Sequence, residues 1–328
     1  MNPQAVVEER RLHVADVRFE HKRFDPLVPK ALIPARERRE IRNASDLEPH
    51  EVVRVVRDTL RVGFGETHLD LGVEAERTDA RHSTSMELAE LIRERQPCLV
   101  LTGAGISTES GIPDFRSATG IWAMYDPMEY ATFSAFRRDP VKVWEFYARR
   151  FEALLHAEPN AGHRALAELE RLGFVQAVIT QNIDGLHERA GSQDVIEVHG
   201  SIRTASCLAC GERVPFAEVA AALEEAPAPP CPRCGEILKP DVVMFEELLP
   251  VDAIDRAFEL ARQASLLLVV GSALEVYPVA SLPDETLAAG GALAIVNRGP
   301  TPFDGRAAVR VHGGAGETLT AAVEALRG

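Results

Sequence analysis

Residues 103–117 read GAGISTESGIPDFRS, and the fold of the chain turns on them. They follow an apolar run, Cys98 to Leu101, whose length and composition predict a buried strand. Gly103, Gly105 and Gly111 sit among small residues, so the backbone after that strand is free of bulk. A strand ending in such a loop brings N–H groups close to a phosphate, because glycine has no Cβ to hold the anion off. If a helix opens in the loop, its N-terminus favours the same anion. The spacing is G-x-G-x(5)-G. It is neither the dinucleotide G-x-G-x-x-G nor the P-loop G-x(4)-G-K, so the loop alone points only to a phosphate. Pro113, Asp114, Phe115 and Arg116 then add a charge, a ring and a guanidinium to the loop's far side.

Outward from this stretch, apolar strands alternate with helical periodicity. Leu88, Leu91 and Ile92 predict a helix before the first strand. Residues 163–172 predict a helix stopped by Gly173, with strands at 175–180 and 195–198. Residues 265–271, SLLLVVG, are apolar throughout, as a strand covered on both faces should be. Runs at 293–297 and 309–312 complete the set. This alternation predicts an α/β fold, a doubly wound parallel sheet of Rossmann-like type. Ligands of such sheets sit beyond the carboxyl ends of the strands. Polar or small residues fall at those ends: Gly103, Gln181 with Asn182, Gly271 with Ser272, and Asn297.

The totals exclude several classes. The 328 residues suit one large domain or two smaller ones, and 46% are hydrophobic, enough for a core. With 36 basic and 50 acidic residues the formal charge is −14, which opposes nucleic-acid binding. No apolar run is long enough to span a membrane, and the charged N-terminus lacks a secretory h-region. Four of the five cysteines form two C-x-x-C pairs, a pattern of metal binding in a reducing compartment, here the cytoplasm. Residues 1–85 form an N-terminal extension without recognisable chemistry, with a charge cluster at 36–40. A capping box at Ser45 and Glu48 opens a short helix there.

Four other stretches carry candidate chemistry. Thr180 to His187 reads TQNIDGLH; its side chains suit recognition of an amide and sugar hydroxyls, and they suit a polar turn equally well. His199 closes the strand VIEVHG, where an imidazole is either a structural hydrogen-bonding group or a base at neutral pH. Cys207, Cys210, Cys231 and Cys234 form two knuckles with twenty residues, 211–230, between them. Four thiolates make a closed tetrahedral zinc site, which folds its segment and does no chemistry. Lys239 to Phe245, KPDVVMF, is an ordinary strand by its alternation, or a wall of a narrow apolar channel. Residues 118–160 are rich in rings, among them Trp122, Phe146 and Tyr147, and predict a helical insertion covering the loop. Cys98, inside a strand, is expected to be a buried small apolar residue.

The glycine loop with its PDFR tail, the TQNID-x-LH stretch, the His-Gly after a strand and the paired knuckles together resemble the sirtuins, NAD-dependent protein lysine deacylases. The resemblance covers about residues 86–328 and is nearest to bacterial and archaeal deacetylase-type members. It implies a Rossmann-like core with a smaller zinc-ribbon and helical subdomain, the zinc module spanning about residues 203–240. It also implies NAD as cofactor and acetylated lysine in proteins as substrate. The products are nicotinamide, O-acetyl-ADP-ribose and free lysine.

By the same resemblance His199 is the catalytic base, and Asn182 with Gln181 faces the nicotinamide ribose. Asp184 faces the carboxamide, beside Ile183. Gly103, Ala104, Gly105 and Thr108 belong to the pyrophosphate loop, which Asp114, Phe115 and Arg116 close. Gly271, Ser272, Asn297 and Ala315 hold the adenosine half. Val243 and Phe245 wall the acyl-lysine tunnel, with Val276 on the peptide's other side. Three positions depart from the family pattern: Glu246 stands where a glycine is usual, Ala273 where a second serine is usual, and Glu275 where an apolar residue is usual. Two added carboxylates beside the peptide groove predict a preference for basic flanks. Tyr147-x-x-Arg150 resembles the pair that clamps an acidic acyl group in desuccinylating members; read without the family it is a helical aromatic and a surface Arg. The expected activity is deacetylation, with desuccinylation, other deacylation and mono-ADP-ribosyl transfer as alternatives.

Overall fold

Strand and helix alternate as the apolar pattern requires. The computed structural model describes residues 84–328. The N-terminal extension, with its charge cluster and its capping-box helix, lies outside the described residues except for Thr84 and Ser85. Helical residues 84–94 (α1) lead into β1 (Cys98–Thr102), and three helices follow: α2 (Pro127–Tyr130), α3 (Phe133–Arg138) and α4 (Pro140–His156). Next come α5 (Ala161–Arg171), β2 (Val175–Thr180), α6 (Leu186–Ala190), β3 (Val195–Glu197), β4 (Gly200–Cys207) and β5 (Arg213–Pro215). Then follow α7 (Phe216–Glu225), β6 (Leu238–Val242), α8 (Val251–Gln263) and β7 (Leu266–Val270). The chain ends with α9 (Leu282–Ala288), β8 (Ala292–Val296), β9 (Val309–Val311) and α10 (Ala315–Arg327).

Six strands form one parallel sheet in the order β3-β2-β1-β7-β8-β9. The chain winds one way from β1 and the other way from β7, so the order reverses between these two neighbours. That reversal is where a doubly wound sheet opens a crevice for a ligand. Alternate residues of each strand face opposite cores. In β1, Cys98 and Val100 pack with Leu88, Ile92, Leu166, Leu169 and Leu319 of α1, α5 and α10. Leu99 and Leu101 pack with Ala257, Ala261 and Leu282 of α8 and α9. Both faces are covered, which is why these strands are apolar throughout. Helix α5 begins two residues before the predicted start because Asn160 caps it, accepting from the N–H groups of Gly162 and His163. It ends before Gly173, at φ 84.

A second core stands on different elements. Strands β5, β4 and β6 form an antiparallel sheet, of which the sequence reading foresees only β6, as part of the run from Lys239 to Phe245. Strands β4 and β5 are short or largely polar, so no apolar run announces them. Trp144 and Phe151 of α4 are buried against this sheet, and Trp144 Nε1 donates to Leu238 O at 2.7 Å. The rings of the helical insertion pack on one another, Phe115 against Trp122 at 5.2 Å and Tyr125 against Phe146 at 5.2 Å.

Candidate active site

The glycine loop after β1 opens a seven-residue 3-10 helix, Ala104–Ser110, rather than an α-helix. Its glycines are set first by another loop. A Cβ on Gly105 would lie 2.7 Å from Gly271 O, and one on Gly271, at φ 63, would lie 2.2 Å from Ile106 N. The loops after β1 and β7 therefore cross backbone against backbone, joined by Gly105 N–H to Gly271 O at 2.8 Å. Neighbouring strands at the switch point bring their ends together, and only glycine allows the contact. The sequence reading attributed Gly105 to a phosphate and Gly271 to adenosine, not to each other.

A cavity of about 990 Å³ lies over the strand ends, at the upper limit of about 300–1,000 Å³ for cofactor sites. Every residue nominated above for cofactor, substrate or base lines it. Ser107, which was not nominated, joins several of them. Its hydroxyl donates to Asp184 Oδ2 at 2.7 Å and accepts from Asn182 Nδ2 at 3.0 Å. Asn182 Nδ2 also reaches Gly103 O at 3.2 Å, and Gln181 Nε2 donates to Ser272 Oγ at 2.8 Å. Burial pushes the Asp184 carboxyl up, while the Leu186 N–H and the Ser107 hydroxyl favour its charged form. Behind this layer His163 faces Ser107, and His187 bonds Thr102 Oγ1 at 2.9 Å; both rings are buried, as structural histidines should be. Arg310 was also missed. It fixes the loop after β8 by bonds to Asn297 O, Gly299 O and Val311 O, and no motif marks it.

His199 faces the cavity, and its Nδ1 lies 3.1 Å from Gln181 O. A carbonyl only accepts, so Nδ1 carries the hydrogen and the neutral ring's lone pair is on Nε2. Burial, helped by the Arg116 charge, lowers its pKa to about 4 against the pull of that bond, so the ring is neutral at pH 7. The residue is held from the far side: Val243 N–H donates to His199 O at 2.9 Å. A Cβ on Gly200, at φ 74, would lie 2.1 Å from Asp241 O. The glycine after the histidine is thus forced by β6.

Tyr147, Arg150 and Leu154, three and four residues apart, present one face of α4 to the cavity. Arg150 is not a surface side chain. Its Nε and one Nη are buried without a partner, and its guanidinium lies 5.0 Å from the Phe115 ring centre and 5.2 Å from that of Phe146. Burial lowers its pKa, yet a guanidinium stays charged. Burial also holds the Tyr147 phenol protonated, at about 12.

The two added carboxylates are both engaged. Glu275 pairs with Arg116 at 2.9 Å, and Glu246 accepts from the Ser134 N–H at 2.8 Å. Glu246 also does not avoid the glycine conformation: it stands at φ 76. Arg116 thus offsets the charge of Glu275, whereas Glu246 meets only neutral donors and keeps its charge.

The four knuckle cysteines meet, their sulfurs all within 4.8 Å of one another. Cys207 and Cys234 are 3.4 Å apart, and Cys210 and Cys231 are 3.6 Å apart. A tetrahedral zinc with Zn–S bonds of about 2.3 Å spaces its sulfurs at about 3.8 Å, so this donor set fits the ion. The knuckles share one geometry: Gly211 N–H donates to Cys207 O, Gly235 N–H to Cys231 O, and both glycines have positive φ. Cys98 stands apart, buried in β1 with its thiol pushed up to about 12.

A switch-point crevice between glycine loops, with an imidazole in its wall, in a chain that also carries a four-thiolate module, defines an α/β nucleotide-using enzyme with a structural metal site. A family model described as Sir2 family matches residues 103–278. The chain is 46% identical over 241 residues to the NAD-dependent protein deacetylase of Caldivirga maquilingensis, covering 73% of this chain and 93% of that one. It is 44% identical over 241 residues to NAD-dependent protein deacylase 1 of Archaeoglobus fulgidus, covering 74% and 97%. A solved complex of a Sir2 protein with a p53 peptide and NAD+ superposes with a TM-score of 0.68 at 41% identity, over 73% of this chain and 96% of that one. The chain belongs to the Sir2 family.

Proposed function

We propose that this protein removes acyl groups, acetyl first among them, from lysine side chains of proteins. NAD is the co-substrate, and nicotinamide, O-acyl-ADP-ribose and free lysine are the products. The observation that carries this reading is a neutral imidazole with Nδ1–H committed to Gln181 O, in one cavity with the glycine loop. NAD, when bound, supplies the electrophilic ribose carbon that captures the acyl oxygen once nicotinamide departs.

The chain's residues do the rest. The two crossed loops leave room for a pyrophosphate, and Ser272, Asn297 and Ala315 border the space for adenosine. Asp184, oriented by Ser107 and the Leu186 N–H, offers its carboxylate to a carboxamide. Asn182 and Gln181, each held by its own amide N–H, keep their side-chain oxygens for ribose hydroxyls. His199 Nε2 takes the proton from such a hydroxyl, a role worth about 10²–10⁴ in rate. Val243 and Phe245 offer an apolar wall to the lysine stem, and a dry slot protects a reactive sugar from water. The four cysteines hold zinc away from the chemistry. Among the described residues no helix is long and apolar enough to cross a membrane. Cysteines that serve as metal ligands rather than disulfides suit a reducing compartment, which supports a cytoplasmic location.

One observation favours a second reading of the acyl group. Arg150 is a half-buried charged residue of the cavity wall whose Nε and one Nη are buried without a hydrogen-bond partner. Such a charge is costly until an anion meets it. A carboxylate at the end of the acyl chain, as in succinyl-lysine, supplies one, and the protonated Tyr147 adds a donor.

The test is incubation with NAD and acetyl- or succinyl-lysine peptides, read by mass spectrometry. Acyl-ADP-ribose and free lysine are expected, and His199→Ala should lose about 10²–10⁴ in rate. Label from NAD left on the peptide would instead establish ADP-ribosyl transfer. Arg150→Met should cut desuccinylation about tenfold or more while sparing deacetylation. An equal effect on both would remove the acidic-acyl reading.

A further inference from the structure

The cavity wall that follows β6 is tied at every turn. Phe245 N–H donates to Ala131 O at 2.9 Å, and Phe133 N–H donates to Phe245 O at 3.0 Å. Behind the wall, the buried Lys239 ammonium donates to Val242 O at 3.0 Å and pairs with Glu247 at 2.9 Å. The Glu247 carboxylate in turn accepts from the Met244 N–H at 2.8 Å. Glu246 completes the set from the solvent side. Its φ of 76 lies in the left-handed region, which is disfavoured for any residue with a Cβ.

A contact offsets that conformation. The Glu246 carboxylate accepts from the N–H of Ser134 at 2.8 Å and from the Ser134 hydroxyl. Ser134 is the second residue of α3, where a backbone N–H has no partner inside its own helix. An ionised acceptor is favoured there. Glycine would take the same φ freely, but it could not reach Ser134. The strained backbone and the long acidic side chain therefore form one device, a strap from the wall to the helical insertion that carries Trp122 and Phe146.

We propose that Glu246 is a positioning residue: its strap to Ser134 fixes the wall at Val243 and Phe245 against the insertion, so the slot for an acylated lysine has its working width before substrate arrives. This rests on the deacylase reading above. Glu246 acts through the wall and touches neither reacting atom nor cofactor.

Replacement by glycine relieves the strain and cuts the strap together. Glu246→Gly should therefore leave the thermal midpoint little changed, while KM for an acyl-lysine peptide rises about tenfold and KM for NAD stays within about twofold. Glu246→Gln keeps an acceptor oxygen and should restore most of the peptide KM. Ser134→Ala should weaken peptide binding alone and add little to Glu246→Gly, since both touch one contact. A role in stability only would lower the midpoint and leave the two KM values moving together. Hydrogen exchange at the Ser134 amide reads the strap without catalysis and should quicken about tenfold in Glu246→Gly. An active enzyme whose Glu246→Gly variant keeps both KM values and the Ser134 exchange rate overturns the proposal. A wild-type protein inactive on every acyl peptide overturns the deacylase reading instead, and the Ser134 exchange then decides the strap alone.

Discussion

Burial drives three histidines in and behind the cavity to the neutral form. His163 and His199 titrate at about 4 and His187 at about 3, against an ordinary 6.5. In the unfolded chain each takes a proton below about pH 6.5, while in the folded protein it stays neutral until far lower. Their contribution is therefore fully present above pH 6.5 and is lost as pH falls toward 4 and then 3. Glu197, which burial pushes up to about 7, and Asp184, which burial also raises, work in the opposite sense, two groups against three. The thermal midpoint should fall steadily from pH 6.5 to 4, and the fall should flatten in His187→Gln. A midpoint constant over that range would contradict the burial of these rings. The same depression predicts that the acid limb of the deacylation rate lies well below pH 6.5.

The large elements were legible because their physics is local. A strand such as Leu266–Val270 is buried on both faces and can only be apolar. The helix that stops before Gly173 needs that glycine. The knuckles were legible because metal geometry fixes their spacing. Of the sheet β5-β4-β6 only β6 was, since β4 and β5 carry no sustained apolar alternation. Nor was the burial of Arg150, because exposure of a helical Arg depends on what packs over it, here Phe115 and Phe146. The contact of Glu246 was not legible either, because its partner Ser134 lies 112 positions earlier in sequence. The crossing of the two glycine loops belongs to the same class of long-range fact, and it carries a prediction. Gly271→Ala forces a Cβ to within 2.2 Å of Ile106 N at φ 63, so both loops must move. The cost should exceed about 1–3 kcal/mol, and NAD binding by calorimetry should be lost with the loop geometry. Unchanged affinity would show that the loops do not depend on each other.

Across the whole molecule, one strand joins metal and base. Strand β4 begins at Gly200, next to His199, and ends at Cys207. Zinc held there would touch no reacting atom, yet it would tie the end of β4 at Cys207 to the second knuckle, which leads into β6. We expect one zinc per chain by elemental analysis. A thiol reagent with a chelator should release it, abolish the near-ultraviolet signal of Trp144, and end deacylation without unfolding the six-stranded sheet. Full activity after complete metal loss would refute this coupling.

The residues nominated for each half of the ligand come from different elements. Adenosine is bordered by the loop after β8 and the start of α10, whereas the acyl end meets one face of α4. An engineer can thus rewrite Tyr147, Arg150 and Leu154 as a cassette, since those changes leave the glycine crossing alone. New acyl selectivity is then open to a small library confined to three codons.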